Sequence, residues 1–110
     1  MIQDCIEAIE AKLKDAKHIS DGTRAELMEL LAALKSEVGE LAKTRQEDAR
    51  SIACFVDASA HEATRNERKP ELLQPALSGL TASVQELEAS HPELVNVVNR
   101  LATTLSNMGI

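Results

Sequence analysis

The chain has 110 residues, a net charge of −6, 44% apolar and 27% charged residues, and one aromatic side chain, Phe55. That composition excludes a disordered tail and a membrane-embedded chain. With four glycines and three prolines, it also excludes a β-sandwich or barrel, which draws on aromatics and many tight turns.

The first predicted helix runs from about Ile2 to Lys17 and carries Ile2, Ile6, Ile9 and Leu13. The chain then turns over His18 to Gly22. Ser20 or Asp21 can cap the second helix, and Thr23-Arg24-Ala25-Glu26 fits a capping box. That second helix carries Leu27, Leu31, Leu34, Val38 and Leu41. Every step in both stripes is three or four residues, the pattern of helices packed at coiled-coil-like angles.

From residue 43 the pattern changes. Residues 43–51 are polar on all sides, 52–60 are apolar again, and 61–69 are charged. The lack of Gly and Pro from 43 to 69 favours extension of the second helix toward residue 65, a rod of well over ~50 Å. The other reading is a linker holding one short helix. In the extended form Ile52, Phe55 and Val56 lack a partner within the chain. They then predict an interface between two copies, a homodimer.

Pro70 and Pro75 place the start of a third helix between them, because proline suits only a first turn. It carries Leu73, Leu77, Leu80, Val84 and Leu87 and is expected to end near Ala89. In Ser90-His91-Pro92-Glu93, Ser90 can accept from the Glu93 N–H while Glu93 reaches back and Pro92 fills the first turn. A fourth helix then begins almost at once, with Leu94, Val98, Leu101, Leu105 and Met108. Gly109 and Ile110 fit a Schellman ending, with Ile110 packing on Leu105. The expected fold is a single all-α domain over 1–110. Hairpin one spans 1–42, a helical extension or linker spans 43–69, and hairpin two spans 71–110.

Net charge is −4 over 1–42, +1 over 43–69 and −3 over 70–110. No segment has the basic footprint of a nucleic-acid binder, and Glu62 and Glu67 dilute the nearest cluster, Arg65, Arg68 and Lys69. An acidic surface repels anionic membranes, and the longest apolar run, Leu30 to Leu34, cannot span one. The opening MIQDCIEAIE is not a signal peptide, so a cytoplasmic setting with reduced thiols is expected. Cys5 and Cys54 are far apart in sequence and no CxxC occurs, which rules out a zinc-ribbon or thioredoxin-type motif. Each cysteine reads as a small apolar packer.

Asp57 and His61 share a helical face, but two ligands are too few for a structural zinc site. Glu88 and His91 match the Glu-x-x-His spacing of di-iron bundles only once, where two such motifs are needed. The apolar stripes hold almost nothing able to do acid, base or nucleophilic chemistry. A non-catalytic interaction or assembly module with no cofactor is therefore expected, with an unidentified protein partner. The rival is a small metal-binding or redox protein using Asp57, His61, Glu62 and Cys54.

Glu88 to Pro92, Asn99 to Ala102 and the closing Ser106 to Ile110 together resemble the C-terminal signature of a small bacterial family known only as domain of unknown function 4404. Thr23 to Leu27 is similar in a less specific way. The resemblance covers about 1–42 and 71–110, with 43–69 longer or more divergent. It implies a small, cytoplasmic, helical protein and brings no activity or site residues with it.

Overall fold

The computed structural model describes residues 2–108. Among them are five α-helices: α1 (Ile2–Asp15), α2 (Asp21–Ala42), α3 (Gln46–Ala63), α4 (Pro70–Ser83) and α5 (Pro92–Met108). A 3-10 turn at Gln85–Leu87 precedes α5. The all-α bundle expected from the stripes is the observed class.

The four stripes form the core. Each of their residues is buried except the outermost two, Ile2 and Met108, which pack partly buried against it. Ser20 caps α2, its Oγ accepting from the Thr23 N–H at 3.2 Å. From the first turn of α2, the Arg24 guanidinium donates to the Leu13 and Ala16 carbonyls. It thereby satisfies two acceptors left open where α1 ends.

The long second helix does not form. Helix α2 stops at Ala42, the chain turns over Lys43 to Arg45, and α3 runs back. The Thr44 and Arg45 N–H groups both close on the Leu41 carbonyl, at 3.1 and 2.8 Å. The molecule measures 37 × 24 × 22 Å. A continuous helix over 21–65 would need more than ~60 Å at about 1.5 Å per residue. The reason is burial: folding back lets α3 pack against α1, α2, α4 and α5. Its inward face is Ala49, Ile52, Ala53, Val56, Ser59, Ala60 and Ala63. Small side chains let a central helix approach its neighbours closely. Ser59 keeps that face small with its hydroxyl buried and unpaired, a cost of about 1–3 kcal/mol.

The second half also departs from expectation. Helix α4 begins at Pro70 itself and contains Pro75 in its interior. It ends at Ser83 rather than near Ala89, and the 3-10 turn carries the buried Leu87 onward. The two expected helix pairs, α1 with α2 and α4 with α5, are both in contact, with α3 set against them all.

Pro92 opens α5 as expected. Ser90 does not cap Glu93. Its hydroxyl pairs with His91 Nδ1 at 2.9 Å, and the Val95 N–H reaches the His91 carbonyl, so the helix starts from His91. The Gly109–Ile110 ending lies outside the described residues.

Candidate functional site

Helix α3 sets four consecutive residues toward different surroundings. Val56 points into the core, fully buried, as does Ile52 one turn earlier. Neither can serve as a contact surface, which corrects the predicted Ile52–Phe55–Val56 interface. Phe55 alone of the three reaches the surface, at 37% exposure. Cys54 is exposed, and Asp57 faces α1, where its Oδ1 meets Lys12 Nζ at 2.5 Å.

Phe55 occupies the α4 side of α3. Its ring lies directly on Gly79: a Cβ built there would fall 2.7 Å from Phe55 Cδ1 and closer still to Cε1. Glycine at 79 is thus a seat for the ring. The surrounding cleft is lined by Arg45, Asp48, Ser51, Glu86 and Leu87. Arg45 Nε pairs with Asp48 Oδ2 at 2.7 Å on the rim. An aromatic side chain held against backbone, with a rim of both charge signs, has the anatomy of a contact anchor.

Gly39, on α2, has open space where its Cβ would be. Gly39→Ala should therefore raise stability by about 0.5–1 kcal/mol, the usual gain inside a helix. Gly79→Ala should forfeit that gain, because the new methyl evicts the ring. In a Phe55→Ala background the gain should return. Denaturant unfolding followed by circular dichroism reads all three, and equal gains at 39 and 79 would show that the ring is not seated there.

On the α1 side of α3 lies a second feature. The Lys12–Asp57 ion pair joins α1 to α3 there, and Cys5 and Cys54 lie on the same two helices. Burial pushes the Cys5 thiol above its ordinary pKa, aided by Cys54 and Asp57 and opposed by the Lys12 ammonium. Both thiols are free. Forty-eight residues separate them in sequence, and the return of α3 onto α1 puts them on neighbouring helices.

The remaining candidates are dispersed. Asp57 is engaged by Lys12, while His61 Nε2 lies 3.9 Å from Glu62 Oε2. Glu62 accepts from Arg65 at 2.9 Å, which offsets part of the basic cluster. Among the described residues no three His, Cys, Asp or Glu side chains converge on a metal-sized site. No helix among them is long and apolar enough to cross a membrane.

Sequence reasoning missed the Gly79 seat and the packing of α3 against α1. A signal for the fold behind both was present: Lys43 and Arg45 are followed by Glu47 and Asp48. A basic-to-acidic switch of this kind suits one helix ending and the next beginning.

Compared with known proteins, residues 27–110 match the model of a family described as Domain of unknown function (DUF4404). The match includes 43–69, which the sequence had set apart, and starts within α2. No curated protein and no solved structure matches the chain.

Proposed function

Starting from a chain that belongs to the DUF4404 family, we propose that it is a non-catalytic protein–protein interaction module that docks through the α3–α4 face around Phe55. The observation that carries this reading is the aromatic ring held on Gly79 at the surface. Phe55 and Leu72, on α3 and α4, are the large apolar side chains exposed among the described residues. The first partner we assign is a second copy of the chain. Arg45 and Glu86 both line the cleft, and opposite charges on one face can pair reciprocally across a two-fold axis, as an isologous contact allows. Its two free thiols suit a reducing compartment such as the cytoplasm.

Light scattering over a dilution series tests this, with refractive-index detection because Trp and Tyr are absent. The expected mass approaches twice 11.9 kDa at high concentration. Phe55→Asp should abolish the association and leave helicity unchanged. A wild-type chain that stays monomeric throughout removes the dimer. A dimer that survives Phe55→Asp removes this face.

A further inference from the structure

Resting on the reading above that a second copy docks around Phe55, we propose that this copy also covers the groove between α4 and α5, so that the two chains meet along α4 with the two-fold axis near Ala82. Area calls for a surface larger than the ring. An aromatic side chain spans about 150–250 Å², so Phe55, at 37% exposure, offers under about 100 Å². Leu72 is exposed by 44% and adds no more than a similar area. A stable pair buries about 800 Å² on each partner. The contact therefore extends well beyond these two side chains.

Charge decides in which direction. Each copy carries −6, so two copies approach most readily where the surface has no charge. Helices α1, α2 and α3 carry both signs along their length. Helix α4 has Glu71 in its first turn and no charge from Leu72 to Ser83, and α5 has none from Leu101 to Met108. The groove between them is lined by Gln74, Ser78, Thr81 and Gln85 on one wall and Thr103 and Ser106 on the other, with no charged side chain. Ala82 and Gln85 line both this groove and the Phe55 cleft, so one partner seated on the outer ridge of α4 covers both. Loss of charge at the centre is the compositional mark of an interface. The neutral lining also suits a copy of itself. On a two-fold axis a residue faces its own counterpart. A carboxylate or ammonium repels that counterpart, whereas an amide or hydroxyl both donates and accepts, so Gln85 and Ser78 can pair with their own kind.

Light scattering over a dilution series of the full-length chain, at about 0.15 M salt, reads the dissociation constant for the wild type and three variants. Gln85→Glu turns an exposed amide into a carboxylate of the same shape. Ser78→Glu places a good helix former at an exposed position of α4. Each should weaken association at least about tenfold, because like charges then face each other across the axis. Ser36→Glu adds the same charge on the exposed side of α2 and should change the constant by less than about threefold, since distant exposed charges are screened. Circular dichroism should show unchanged helicity in all three. A wild-type chain that stays monomeric removes the dimer and this contact together. A dimer lost in Phe55→Asp but unaffected by Gln85→Glu and Ser78→Glu overturns the α4 contact and leaves the Phe55 face standing. Equal weakening by Ser36→Glu also overturns it, since net charge alone then accounts for the loss.

Discussion

Ile52→Ala should destabilise the protein by about 2–5 kcal/mol, the range for emptying a well-packed aliphatic site. Ile52 is fully buried within the core and lies on the helix that touches all the others. Total stability for a domain of this size is only about 5–15 kcal/mol, so this one truncation removes a large share. Ile52→Asp should not fold at all, since it strands a carboxylate among aliphatic side chains. Phe55→Ala, three residues on, should cost far less because the ring is part-exposed. Chemical denaturation monitored by circular dichroism separates the two. Were α3 an outward extension of α2, Ile52 and Phe55 would respond alike, and a change at Ile52 within about 0.5 kcal/mol, the range typical of surface positions, would sink the folded-back arrangement.

Pro75→Ala should stabilise the protein by about 1–3 kcal/mol. Pro75 is the sixth residue of α4. It has no N–H to offer the Glu71 carbonyl one turn back, and its ring crowds that carbonyl. Interior proline costs about 3 kcal/mol relative to alanine. The greater freedom of the unfolded alanine chain returns about 0.4–1 kcal/mol of this. Pro75 is exposed, so little packing is lost on substitution. The denaturation midpoint should rise; a fall would mean that Pro75 holds α4 in a bend its neighbours require. Pro70, at the first position of α4, should show no such gain, since its missing donor was never needed.

The Phe55 face depends on the return of α3, so Ile52→Ala should weaken it together with the fold. Gly79→Ala should disturb that face by displacing the ring, with the core left in place.

How much of this was legible can be read from particular residues. The stripes from Ile6 to Leu13, Leu27 to Leu41, Leu73 to Leu87 and Leu94 to Leu105 are buried as their spacing predicts, because large aliphatic side chains at three- and four-residue steps leave one helical face to bury. The cap of α2 was legible only as a choice among Ser20, Asp21 and a box from Thr23, and the structure settles it on Ser20, whose hydroxyl accepts from the N–H three residues on. The α3 face was not. Ala49, Ala53, Ala60 and Ala63 carry little hydrophobic signal, and they count in the core only because a central helix must be thin. The break at Lys43 to Arg45 lacks Gly or Pro, so local propensity alone favoured a continuous helix.

The sequence by itself therefore determined an all-helical chain, four aliphatic faces and the family to which the chain belongs, and narrowed the cap of α2 to a few neighbouring residues. Only the tertiary structure decided that α3 folds back, and that Ile52 and Val56 turn inward while Phe55 rests on Gly79. The physical reason is range. Periodicity and capping act within one or two turns, whereas the direction of α3 follows from apolar area it can bury only against four other helices, α1 and α5 among them far away in sequence.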